Sequence, residues 1–342
     1  MKLEEIAEKA QVSKSTVSLV LNGKPGVSAQ KRAEILKIIT DSNYVRLRKK
    51  HVPKENDRPH IRFVAGINED VISTDYPQPF FNELITYIFS EINAQGLSMT
   101  LSLFNKDTLF DDLKKKEREE ASSGIILLGT NLTTLFLKPI CDYFGNLVVI
   151  DTESSQIDCN TITMNNFLGS YQAANYLLEM GHRQIGYIKG QPRINNFFDR
   201  RRGFKAALFN RHIDPKTLPQ FHLPGMHIEP VKRHLDALLY FVQSVTAIFC
   251  ENDYIALSLI KTLSQNGIKI PEDISIIGFD DIKESQVVQP ELTTIHVPIK
   301  EIAEETVKII KERIENPGKT KKQIFFNPSL VIRHSVKEVQ LQ

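Results

Sequence analysis

Leu3-Glu4-Glu5-Ile6-Ala7-Glu8-Lys9-Ala10-Gln11-Val12-Ser13-Lys14-Ser15-Thr16-Val17-Ser18-Leu19-Val20-Leu21 contains two helical periods separated by a very short gap. Leu3, Ile6, Ala7 and Ala10 recur at the spacing that lines one face of a helix, and Glu4 and Glu5 suit the positive end of its dipole. Gln11-Val12 leaves room only for a tight turn. Ser13 is placed to cap a second helix with Val17, Val20 and Leu21 on its inner face and Lys14, Ser15, Thr16 and Ser18 on its outer one. Asn22-Gly23-Lys24-Pro25-Gly26 is a loop by composition. Ser28 then caps a third helix with Ala33, Ile35, Leu36 and Ile39 inward, ending near Tyr44.

Outward from this head the charge changes sign. Residues 1–60 hold 13 Lys and Arg against 7 Asp and Glu, whereas the remainder holds 30 against 34. A basic head on a mildly acidic body implies that only the head meets a polyanion. Between Tyr44 and Lys54 stand Arg46, Arg48, Lys49, Lys50 and Lys54 with no acid, and Pro53 and Pro59 break any helix. This stretch is either a basic arm along phosphates, using Arg46, Arg48 and Lys49, or an inert charged linker.

At 342 residues the chain should form two or three domains. No apolar run approaches the ~20 residues of a membrane span, and charges interrupt the N-terminal stretch where a signal peptide would lie. A cytoplasmic protein with no membrane association is expected. Cys141, Cys159 and Cys250 stand far apart and read as buried thiols, and no metal or cofactor is expected.

Past residue 60, apolar runs alternate with helix-period segments. Strands are expected at Ile61–Ile67, Met99–Phe104, Ile125–Leu128, Leu147–Ile150, Ile185–Ile188, Ala247–Cys250 and Ile274–Gly278. Helices fit between them, among them Phe81–Ala94, Leu168–Met180, Arg201–Phe209, Asp253–Gln265 and Ile299–Ile314. The alternation predicts an α/β body with parallel sheets, either two small or one large. Ligands of open parallel sheets bind beyond the carboxyl ends of the strands. The residues there are polar or aromatic: Asn68-Glu69-Asp70 and Phe80-Phe81, Asp151, Gly190 to Arg193 with Arg200, Asn252, and Asp280-Asp281. Carboxylates, amides and arginines suit hydroxyl groups, and rings cover an apolar sugar face. Asp253 is expected as a helix N-cap, and Phe80-Phe81 either opens a helix into the core or lines the ligand rim. His182, after Gly181, reads as structural.

Two short helices, the second polar at its start, have the geometry of a helix-turn-helix, with a small bundle for protein contacts as the other possibility. The run Val12 to Ser18, with Val20-Leu21-Asn22 and Val27-Ser28, resembles the head of the LacI/GalR family of bacterial transcription regulators. The resemblance implies that Lys14 and Ser15 read bases, within a DNA-binding set of Ser13, Lys14, Ser15, Thr16, Ser18, Leu19 and Asn22. Leu19 stands where the family has arginine; it can pack on a thymine methyl but not grip guanine, so the operator should differ. Val45-Arg46 and Val52-Pro53 stand where the family opens and ends a hinge helix with Pro-Asn and a leucine.

The same resemblance runs through the body. Pro79-Phe80-Phe81, Gly181-His182-Arg183-Gln184-Ile185, the Gly190 loop with Arg200, Gly278-Phe279-Asp280-Asp281, Pro290 to Ile295 and Leu330 to Ser335 resemble the family's periplasmic-binding-protein-like core. That implies two doubly wound parallel-sheet subdomains closing on an effector, with the chain crossing between them more than once. Effector ligands are then Asn252, Asp280 and Arg200, with Phe80 and Phe81 lining the cleft, and the strand-end reading adds Asp151 and Arg193 to the effector-binding set. The expected domains are 1–45 for the head, 46–60 for the linker and 61–335 for effector binding and dimerisation. Within the last, residues 61–163 with 293–322 and residues 164–292 with 323–335 form the subdomains.

No Gly-x-Ser-x-Gly, phosphate-cradling Gly-x4-Gly-Lys or His-Glu-x2-His motif assembles a catalyst, so an enzyme is not expected. The expected function is a homodimeric repressor on near-palindromic double-stranded DNA, controlled by a small effector, a sugar or sugar phosphate before a purine. The alternative is a ligand-binding protein of the same core without operator binding.

Overall fold

The computed structural model describes residues 3–21, 26–41, 58–68, 71–73, 78–153 and 156–339, and the chain divides into two compact units, 1–57 and 58–342. In the first unit, α1 (Leu3–Lys9), α2 (Lys14–Leu21) and α3 (Ala29–Asp41) enclose Ile6, Ala7, Ala10, Val17, Val20 and Ile35. The α1–α2 turn is sharp because Gln11 takes φ 52°, in the left-handed region. Ser13 caps α2, its Oγ accepting from the Thr16 N–H at 3.2 Å. On α3 the expected inner face is wrong in part. Ala33 and Leu36 are exposed, whereas Ile35 is buried and Ile38 half-buried. A helix crossing a small pair touches it along one narrow seam, and Ile35 with Ile38 is that seam.

The second unit holds the α/β fold. β1 (His60–Ile67), β2 (Ser98–Asn105), β3 (Gly124–Leu128), β4 (Leu147–Ile150), β5 (Asn160–Met164) and β11 (Gln323–Phe326) form one parallel sheet in the order β11-β5-β4-β3-β1-β2. β6 (Ile185–Gln191), β7 (Gln220–Pro224), β8 (Ala247–Cys250) and β9 (Ser275–Ile277) form a second, in the order β7-β6-β8-β9. β10 (Thr294–His296) and β12 (Ser329–Val331) make a small antiparallel pair. Ile125 to Leu128 and Leu147 to Ile150 are buried along their whole length, as strands covered on both faces must be.

α4 (Pro79–Ala94), α5 (Leu109–Glu119), α6 (Thr134–Tyr143) and α11 (Ile299–Glu315) belong to the six-stranded lobe. α7 (Asn166–Glu179), α8 (Asn195–Asn210), α9 (Leu235–Gln243) and α10 (Asp253–Gln265) belong to the four-stranded lobe. α7 and α8 touch so closely that a Cβ on Gly203 would overlap the Phe167 carbonyl. His182 is structural: it is buried, with Nδ1 2.9 Å from Thr246 Oγ1 and Nε2 3.1 Å from the Lys337 carbonyl. All three thiols are buried and free, with Cys141 and Cys159 Sγ 3.1 Å apart. Among the described residues no helix is long and apolar enough to cross a membrane.

The chain crosses between lobes at Asn165, at Val297-Pro298 and at Asn327-Pro328. Two stretches therefore sit in the other lobe from the one expected. Residues 323–326 form β11 against β5 in the six-stranded sheet, because Ile324 and Phe326 extend its buried surface. Thr293 bridges Ile277, and Thr294–His296 pairs with β12, so residues 293–296 stay with the four-stranded lobe.

Candidate ligand cleft and candidate nucleic-acid interface

The carboxyl ends of the two large sheets face each other, and the switch points of their strand orders meet there. The six-stranded lobe contributes Phe80 and Phe81 from the start of α4, Thr130 after β3 and Asp151 after β4. The other lobe contributes Asn196, Phe197 and Arg200 from α8, Met226, Asn252, Tyr254 and Asp280. The space they enclose is about 20 Å³, enough for about one water. Small-molecule sites need roughly 300 Å³ or more, so the walls must part to admit a ligand.

Arg200 organises the cleft. Its Nε donates to Asn166 Oδ1 at 2.9 Å, Nη1 to the Glu251 carbonyl at 2.5 Å and Nη2 to Asp280 Oδ1 at 2.9 Å. Its guanidinium also lies 3.7 Å from the Phe279 ring centroid. Burial pushes the Asp280 carboxyl up to about 8, against the opposing pull of Arg200, and Asp253 and Asp151 add to the rise. Asp280 takes φ 119° and Asp151 φ 57°, conformations that side chains other than glycine rarely adopt. Strain of this kind collects at binding sites.

Asp151 joins the two walls. Its Oδ1 accepts from Asn196 Nδ2 at 2.9 Å, and its Oδ2 accepts from the Thr130 hydroxyl. Burial lifts its carboxyl to about 6 despite those two donors. Across the same gap the Phe80 N–H donates to Tyr254 Oη at 3.1 Å. Phe80 and Phe81 pack edge to face, centroids 5.6 Å apart; both are buried and both line the cleft, so core and rim readings hold together.

The structure thus brings Phe80, Phe81, Asp151, Arg200, Asn252 and Asp280 together. Arg193 lies elsewhere. Its Nη2 donates to Glu251 Oε1 at 3.0 Å and its Nη1 to Glu251 Oε2, and Glu251 also accepts from Tyr187 Oη at 2.7 Å. Glu251 is fully buried, and Arg193 is the cation that pairs with its carboxylate. Asn252, not Asp253, caps α10: its Oδ1 accepts from the Ile255 N–H at 3.0 Å, and its Nδ2 donates to the Gly225 carbonyl at 2.6 Å. Asp253 instead accepts from Ile282 N, Ser285 Oγ and Thr294 Oγ1, beneath the strand end. A Cβ on Gly278 would strike Asp253 Oδ1, which explains the glycine there. Asp281 is also outside the cleft, pairing with Arg333 and with His296 Nδ1 at 3.0 Å.

Thr130, Asn196, Phe197, Tyr254 and Met226 lie in the cleft beyond the residues that the sequence points to. Thr130 follows a strand end, so the strand-end rule applied to β3 would have found it. Asn196 and Tyr254 carry no comparable local signal.

On the head, Ser13, Lys14 and Ser15 are exposed at the start of α2, and Thr16 is half-buried. Ser13 Oγ lies 2.6 Å from Ser15 Oγ and 2.9 Å from Thr16 Oγ1, forming a hydroxyl cluster beside Lys14. Leu19 is half-buried next to Gly26. Asn22, Arg46, Arg48, Lys49 and the Ser18 side chain lie outside the described residues.

Residues 2–46 match the model of bacterial regulatory proteins of the lacI family, and residues 174–336 match a periplasmic binding protein-like domain. The chain is 30% identical over 340 residues to the HTH-type transcriptional repressor PurR of Pasteurella multocida, covering 98% of each. It is 28% identical over 339 residues to the ribose operon repressor of Haemophilus influenzae, again covering 98% of each. Among solved structures, a LacI family regulator from Enterococcus faecium with bound ribose superposes with TM-score 0.68 at 26% identity, over 82% of this chain and 100% of that one. With a head, a two-lobed core and full-length relatives all in agreement, this chain belongs to the lacI family of bacterial regulatory proteins.

Proposed function

We propose that the chain is a homodimeric cytoplasmic repressor that binds a near-palindromic operator and responds to a polyhydroxylated small molecule, a pentose-type sugar, in its cleft. The observation that carries the ligand reading is the convergence of Arg200, Asp280, Asp151 and Asn196 opposite the Phe80-Phe81 pair. Carboxylates accept from sugar hydroxyls, the guanidinium and amide donate to them, and an aromatic edge covers the ring. The likeness to a ribose operon repressor and to a ribose-bound regulator supports the same class. Asn252, committed to a helix end and the Gly225 carbonyl, shapes the wall.

The head carries the output. Ser13, Lys14, Ser15 and Thr16 meet base edges and phosphates in the major groove, with Leu19 against a thymine methyl and Asn22, Arg46, Arg48 and Lys49 on the backbone or minor groove. A two-fold dimer places one head on each half-site. A ligand that favours one separation of the lobes biases the dimer between operator-binding states.

The test is a gel shift on a palindrome upstream of the chain's own operon, at two salt concentrations, with and without ribose, other pentoses or a purine base. A sequence-selective, salt-sensitive shift altered by a pentose is expected. Absence of a selective shift favours a ligand-binding protein without operator function. A response to the purine alone moves the cleft to the other ligand class.

A further inference from the structure

The four-stranded lobe carries a second concavity, about 790 Å³, that shares none of its lining residues with the cleft. That volume lies within the roughly 300–1,000 Å³ of small-molecule sites. Its floor is the edge strand β7 with Phe221, Leu223 and Pro224, and its wall is the segment 227–234 that leads into α9.

The wall is built rather than loose. The Glu229 N–H donates to Ser258 Oγ at 3.0 Å, the Val231 N–H to Thr262 Oγ1 at 2.8 Å, and Ser258 Oγ to the His227 carbonyl at 3.0 Å. Ser258 and Thr262 are buried on one face of α10, where apolar residues would be expected unless something needed holding. At the mouth, Arg193 is fixed by Glu251 and lies 5.3 and 5.0 Å from the ring centroids of Phe197 and Phe198.

The charge is one-sided. Arg193, Lys232 and Arg233 line the pocket with three histidines, and Glu229 is the lone carboxylate among the lining residues. Lys189, cross-strand from His222, extends the cationic surface toward Arg201. Among the described residues, no carboxylate lies within ion-pair distance of Lys189, Lys232 or Arg233. Burial and then the neighbouring cations push Lys189 and His222 below their usual ranges. With Arg193 already held by Glu251, Lys189, Lys232 and Arg233 are left in excess, and like charges so gathered repel one another until an anion joins them.

We infer that this pocket binds a small organic phosphate, its phosphate groups held by Lys232, Arg233 and Arg193 and its organic part laid on the Phe221 floor. A terminal phosphate carries close to two negative charges at neutral pH and several acceptor oxygens, a match for flexible cations on two sides. The site is also wired to the cleft: Glu251 holds Arg193 through its carboxylate and Arg200 through its carbonyl.

The experiment is calorimetric titration of the full-length protein with ADP, inorganic pyrophosphate and adenosine. ADP and pyrophosphate should bind and adenosine should not. The double variant K232A/R233A, changed only at exposed side chains, should keep its melting temperature and bind ADP at least tenfold more weakly. The cleft variant D280A should bind ADP within about twofold of wild type. Failure of both phosphates to bind overturns the inference, as does wild-type ADP affinity in K232A/R233A. ADP binding lost in D280A but kept in K232A/R233A assigns the phosphate to the cleft and overturns it equally.

Discussion

The head and the cleft solve the problem of presenting polar groups in opposite ways. On α2 the hydroxyls and Lys14 stand in solvent on a helix whose stability comes from the other face, through Val17 and Val20. In the cleft, Arg200, Asp280 and Asp151 are buried and hydrogen-bonded to one another's surroundings, so each is part of the core as well as of the site. A change on the head should therefore cost affinity alone, whereas a change in the cleft should cost stability and ligand response together.

The largest effect should come from Arg200→Ala. It strands Asp280, Asn166 Oδ1 and the Glu251 carbonyl in the interior, and each buried group left without its partner costs about 1–3 kcal/mol. Denaturant unfolding of the body should show that loss; wild-type stability would mean the cleft is not a core. Asp280→Ala should abolish the effector response while operator binding in a gel shift persists, at a smaller stability cost because Arg200 keeps two acceptors and the Phe279 ring. Persisting response in this variant would remove Asp280 from the site.

pH gives the next test. Asp151 and Asp280 are raised to about 6 and about 8 by burial, so the folded form holds protons that the unfolded chain releases. Folding keeps the full contribution of these groups below the ordinary carboxylate range and loses it as pH rises through about 6 for Asp151 and about 8 for Asp280. The melting temperature should fall from pH 5 to pH 9, and Asp280→Asn should flatten the upper part of that fall. A wild-type curve that rises over this interval breaks the argument. The smallest effect belongs to the head: Lys14→Ala should leave stability within about 0.5 kcal/mol and reduce the salt slope of operator binding by about 1. Loss of head folding in this variant would erase the contrast between the regions.

The same contrast decides what the sequence reveals. Helix periods and caps are local, so α1, α2 and the Ser13 cap could be read directly, as could β4 and β8, whose runs are uniformly apolar. Asn160-Thr161-Ile162-Thr163-Met164 and Gln323-Ile324-Phe325-Phe326 mix polar and apolar residues; the first is a strand between β4 and β11, and the second is an edge strand with β5 as its partner. That pairing joins residues over 150 positions apart and has no local sign, so sequence alone leaves residues 323–326 with the four-stranded lobe while the structure pairs them with β5. In the cleft the strand-end rule and the family motifs found Asp151, Arg200 and Asp280. Arg193 does not line the cleft; it pairs with Glu251, a buried acid next to Asn252, and that pairing has no sign in the local sequence.

The three crossings between the lobes have a mechanical consequence. The first and third run side by side: the Asn165 N–H donates to the Phe326 carbonyl at 2.8 Å, and Asn165 Nδ2 to Asn327 Oδ1 at 3.2 Å. The second and third carry Pro298 and Pro328, whose rings fix φ. Straps laced together at their midpoints resist being stretched or slid past one another, yet oppose rotation about their common axis only weakly. The lobes are thus mounted on a torsion bar, and parting of the cleft walls should be coupled to a twist of one lobe against the other.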